Sequence, residues 1–150
     1  MTIAIRLFRA PLTINHPQYT PKRFPVARDL YELPNGWIGR VDKYLSLLPV
    51  QIAASVLESF YNVVIDNVRQ KWIQQQQPVN SFTITWANIE LEFSSATRTI
   101  PWNFVLAFAE RLAHLTQRGF VGKYCIYYIH LPTGEEISIH LLIPLVAAGA

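Results

Sequence analysis

The side chains of this 150-residue chain that could do chemistry are one cysteine, four histidines and a few paired carboxylates. The single cysteine, Cys125, cannot form an internal disulfide, and Tyr124, Ile126 and Tyr127 make an apolar run around it. A thiol so placed is expected to be buried and inert, not a nucleophile. No cysteine–histidine arrangement is legible from the spacing. The histidines are His16, His114, His130 and His140. A zinc site needs ligands that converge, usually a close pair with distant partners. His130 and His140 share one C-terminal hairpin, and pairing Leu131 with Glu136 puts them on opposite faces. A one-residue slip of the loop would bring them to the same face, because strand side chains alternate. His114 falls on a helix surface and His16 in an N-terminal arm.

Among the carboxylates, Glu90 and Glu92 alternate along one strand face toward solvent, and Glu135 and Glu136 sit at a turn. A catalytic pair needs environments that push its two pKa values apart, and nothing in these surroundings suggests that. Neither a G-x-S-x-G elbow nor an S-x-x-K motif is present, and Ser94–Ser95 reads as the end of a strand. The six glycines (Gly36, Gly39, Gly119, Gly122, Gly134 and Gly149) never form a nucleotide-binding loop. The sequence therefore assigns no catalytic, cofactor-binding or metal-ligating residue, and expects no cofactor.

These residues must be positioned by elements, and composition sets the frame for them. Hydrophobic residues make up 51% of the chain, aromatics 13% and charged residues only 15%, against about 25% charged in soluble domains. So little polar surface leaves apolar area to be covered by a second copy, a partner or a ligand. The length suits one domain spanning 1–150. Residues Met1–Ala10 alternate and contain arginines, unlike the apolar core of a signal peptide. No run approaches the roughly 18 apolar residues of a spanning helix. The expected location is the cytoplasm, which suits a single free thiol.

The formal charge of +3 is uneven. Seven basic residues (Arg6, Arg9, Lys22, Arg23, Arg28, Arg40, Lys43) precede residue 44, against three acids (Asp29, Glu32, Asp42). Pro11, Pro17, Pro21, Pro25 and Pro34 fall in the same region, where missing donors and fixed φ predict an extended arm over residues 10–40. Tyr19, Phe24, Tyr31 and Trp37 suit an arm that wraps across the domain or a neighbour. Basic residues interleaved with aromatics also fit nucleic acid, although their scatter differs from a concentrated binding face.

Ile3, Ile5 and Leu7 alternate as in a short strand. A long amphipathic helix is expected from about Pro49 to Gln76, with Ser46 as N-cap and an apolar stripe of Ile52, Val56, Phe60, Val64, Val68 and Trp72. Between Ser81 and Phe93 the alternation slips phase at Ala87–Asn88, which fits either a bulge or a tight hairpin. A second helix runs between Thr99 and Gly119, burying Phe104, Val105, Phe108, Leu112 and Leu115. Strands Lys123–Leu131 and Glu136–Ile143 flank a Pro132–Glu135 turn, with both faces substantially apolar.

The fold expected is α+β: a mainly antiparallel sheet with two amphipathic helices on one face, an N-terminal strand and a Pro-rich arm. The leading functional expectation is a non-enzymatic, homo-oligomeric or partner-binding protein. The alternative is a small-molecule binding protein or enzyme with an aromatic-lined pocket between helices and sheet, using His130 or His140. Nucleic-acid association through the arm is third.

Overall fold

A computed structural model describes residues 3–8, 32–47 and 49–143. Among the described residues, seven strands form one antiparallel sheet: β1 (Ala4–Phe8), β2 (Glu32–Leu33), β3 (Trp37–Ser46), β4 (Ser81–Trp86), β5 (Ile89–Ser94), β6 (Gly122–His130) and β7 (Glu136–Leu142), in the order β1-β4-β5-β7-β6-β3-β2. The main helices are α1 (Val50–Asn67) and α3 (Trp102–Gln117). A π-helical turn, Val68–Trp72, joins α1 to the short α2 (Ile73–Gln75). The α+β class and the two helices follow the sequence pattern, but the α1 stripe is buried only from Leu57 onward, and Ile52 and Val56 of the expected stripe are exposed.

Helix starts and stops have local causes. Both long helices begin directly after an extended proline, Pro49 (ψ 137°) and Pro101 (ψ 141°), and neither has a side-chain cap. Ser46 is therefore not the N-cap of α1; it ends β3. The Pro49 carbonyl instead accepts the first helical bond, from the Ala53 amide at 3.1 Å. At the other end of α3 the Phe120 amide bonds the Leu115 carbonyl and Gly119 bonds Thr116, a Schellman stop that needs the φ of +98° at Gly119. The π turn answers the spacing of the α1 stripe. A strict four-residue repeat outruns a 3.6-residue turn, and i→i+5 bonding widens the turn so that Val68 and Trp72 both stay buried.

Ala87–Asn88 is a tight hairpin and not a bulge: Trp86 pairs with Ile89, and Ile84 with Leu91. In the C-terminal hairpin Ile129 pairs with Glu136, two residues from the expected register. The loop is Leu131–Gly134, because His130 pairs with Glu135 (amide to carbonyl, 2.8 Å) and Gly134 takes φ +76°. A two-residue shift preserves side-chain faces, so Tyr124, Ile126 and Tyr128 share a face with Ile137, Ile139 and Leu141 as expected. Residues 9–31, the bulk of the expected arm, lie outside the described residues. Its last part is ordered differently: Glu32–Leu33 and Trp37–Arg40 belong to a strand pair turned by Pro34–Gly36.

The core lies between the helices and one sheet face. Phe60, Tyr61 and Val64 of α1 and Phe108 and Leu112 of α3 meet Leu91, Phe93, Ile126, Tyr128 and Ile139, all at most 1% exposed. Aromatic packing continues through Phe93–Phe108 and Phe108–Tyr128, both edge-on at 5.5 and 5.9 Å. Among the described residues, the space between the helices and the central strands is filled by these side chains. No described helix is long and apolar enough to cross a membrane.

Candidate functional site

With the helices on one face, the alternating residues of every strand project from the other. Strand registers place Lys43, Cys125, His140, Glu92, Thr83 and Arg6 side by side across six strands in one row on this open face. Lys43 joins the row through an irregularity in β3. Val41 pairs with Ile126, Lys43 pairs with Cys125, and Asp42 is the extra residue between them. The bulge tucks the Asp42 side chain to 1% exposure, where its Oδ1 accepts from Arg40 Nε at 3.0 Å.

Cys125 and His140 are direct cross-strand partners, with Sγ and Nε2 3.5 Å apart. Burial pushes the Cys125 thiol above its ordinary pKa, and Asp42 adds to this against Tyr127 and Lys43. Burial also lowers His140, with the Glu92 carboxylate opposing and Lys43 reinforcing the shift. Both shifts favour the neutral forms, so the resting pair is thiol and imidazole, not thiolate and imidazolium.

The pair lies at the base of a groove of about 550 Å³ whose lining includes Lys43, Leu45, Lys123 and Leu142. Next to the groove, at Gly122 (paired with Ser46), a Cβ would stand 2.5 Å from the Leu45 carbonyl and 2.7 Å from the Tyr44 ring. Its lack of a side chain lets the end of β3 close over β6, and the Tyr44 hydroxyl accepts the Val121 amide at 2.9 Å. A smaller depression of about 300 Å³ lies between the β2–β3 turn and α3, lined in part by Leu33, Asn35, Phe104 and Glu110.

The other described histidines are elsewhere. His130 is on the helix-side face, opposite to His140, packed in a tilted arrangement on Trp37 with ring centroids 4.7 Å apart. Its Nε2 donates to the Asn35 carbonyl at 2.8 Å, leaving Nδ1 to accept from the Thr133 hydroxyl at 2.7 Å. This imidazole ties the β2–β3 turn to the β6–β7 loop. His114 is exposed on α3, and His16 lies outside the described residues. Glu90 and Glu92 share the open face as expected, while Glu135 pairs with Arg98 at 2.9 Å. The reading of Cys125 as a residue without a histidine neighbour is corrected: β6–β7 register brings His140 to it. The signal was present, since Cys125 and His140 share the face opposite Tyr124 and Leu141, but only the two-residue register shift makes them direct partners. No family model, curated protein or solved structure matches this chain.

Proposed function

We propose that this is a non-enzymatic protein that self-associates through the open face of its sheet. The observation that carries this reading is the row Leu45–Lys123–Leu142, in which Leu45 is 61% and Leu142 40% exposed beside the groove. Leucines presented together on a sheet face are what an interface covers, and a chain with 15% charged residues has little polar surface to spare. Charge supports a second copy as the occupant. Lys43 and Lys123 lie on one side of β7, and Glu90 and Glu92 on the other. A two-fold axis running along β7 sets the lysines of one copy against the glutamates of the next, as an isologous interface requires. A cytoplasmic setting, with its reduced thiol, belongs to the same proposal.

Light scattering across a concentration series tests it. The expected result is a dimer or larger for the wild type, and a shift to monomer for Leu45→Glu/Leu142→Glu with an unchanged circular dichroism spectrum. A wild-type monomer at high concentration overturns it. The groove favours a second reading, a small-molecule site, since its volume falls in the range of about 300–1,000 Å³ typical of ligand pockets. Nucleic-acid association would rest on the basic residues of the arm, most of which lie outside the described residues.

A further inference from the structure

Independently of self-association, which covers this groove, we propose that in the dissociated chain Cys125 and His140 form a thiol–base site that takes a small anionic carbon electrophile from the groove. Three observations converge on it. The sulfur and Nε2 are 3.5 Å apart, close enough for the thiol to donate to the imidazole. Glu92 is the next side chain in the row, directly across from His140 on the strand opposite Cys125. Nucleophile, base and carboxylate thus follow one another across three adjacent strands, and the Glu92 charge acts on His140 from the side away from Cys125, favouring a proton on the base. The groove lies over the pair and has Lys43 and Lys123 in its lining, which sets the charge of what enters.

The shifted protonation states fit this role. A neutral imidazole is free to receive a proton, so the thiol reacts by general-base assistance and not as a resident thiolate. With iodoacetate, the Sγ–C bond forms as the C–I bond breaks. Iodide leaves with the bonding pair, and the thiol proton passes to His140 Nε2. Cys125 is only 3% exposed, so the reagent must be slender.

Because the chain has one cysteine, mass spectrometry of the intact protein reads the site without ambiguity. The rates of modification by iodoacetate and iodoacetamide are measured from acid to alkaline pH, at dilutions where light scattering gives a monomer. A thiol without a base follows its thiolate fraction and climbs about tenfold per pH unit up to its raised pKa. The expected profile instead rises through His140 titration, below the ordinary histidine range, and levels off at neutral pH. The ratio of iodoacetate to iodoacetamide rates is expected to exceed that of free cysteine, and to fall to it in Lys43→Gln/Lys123→Gln. His140→Gln should lose about tenfold or more at neutral pH, together with the plateau. Glu92→Gln removes the charge that opposes the shift, so it should move the inflection to lower pH. A featureless tenfold-per-unit climb in the wild type overturns the proposal, as does modification whose rate tracks global unfolding in urea. A monomeric protein with the expected profile would leave this site standing while removing the self-association reading.

Discussion

Buried phenols dominate the chemistry of the core at the scale of single residues. Tyr61 of α1 and Tyr124 of β6 are 1% and 4% exposed, and their hydroxyls hydrogen-bond each other across the helix–sheet boundary. Burial is the largest cause that raises both phenols above the ordinary tyrosine range; the hydrogen bond to Tyr124 partly opposes it at Tyr61. A phenol whose folded pKa exceeds its unfolded value contributes stability that is complete below about pH 10 and is lost as pH rises toward the folded pKa. The protein is therefore expected to lose stability from about pH 10 upward, as the unfolded chain ionises and the folded one resists. Tyr61→Phe should cost about 1–3 kcal/mol at neutral pH, because it removes the partner of a buried hydroxyl. It should also flatten the alkaline loss, having one fewer buried phenol. Urea midpoints at neutral and alkaline pH check both; an unchanged alkaline slope would assign that loss to other groups.

Elements carry most of what the sequence made legible. Stripes such as Phe104, Phe108, Leu112 and Leu115 encode a helix and its buried face together, because helical period and burial are one signal. Paired strands are encoded more weakly. A two-residue register error in β6–β7 left every side chain on its correct face and still hid the Cys125–His140 contact, which depends on direct opposition and not on face alone. β3 was illegible for a different reason. Its alternation breaks at the Asp42 bulge, and Pro34 and Gly36 just before it read as loop. The β4–β5 hairpin shows how a weak turn signal arises: Ala87 sits at φ +54°, where a Cβ is strained and the familiar glycine is missing. Ala87→Gly is accordingly expected to stabilise the protein by about 0.5–1 kcal/mol, the relieved strain exceeding the added chain entropy. Thermal and urea denaturation measure this, and a destabilised variant would show that the turn tolerates alanine without strain.

The sheet order at the scale of the whole molecule has a two-fold character that bears on how it unfolds. Each long helix is followed by a strand pair, α1 by β4–β5 and α3 by β6–β7, and the pairs abut through antiparallel β5 and β7 with β1 and β3 flanking them. Two α–β–β units so arranged could fold separately if little joined them. Here the seam is well joined. The Ile139 side chain of β7 is fully buried, and the residue is paired with Phe93 of one unit and Ile126 of its own. The Arg69–Glu110 ion pair at 2.6 Å links the π turn to α3 on the helix side, although its exposure makes it a minor contributor. Trp72 and Trp102, one from each side of that helix pair, pack with ring centroids 5.7 Å apart. Shared burial of this kind means that neither unit keeps its core when the other opens, so the described residues should unfold as one cooperative body. Tryptophan fluorescence and far-ultraviolet circular dichroism are expected to give coincident urea transitions. Ile139→Val should lower both by the same increment, about 0.5–1.5 kcal/mol for the lost methylene. Separated transitions, or a shift in one probe only, would mean that the β5–β7 seam opens before either half loses its core.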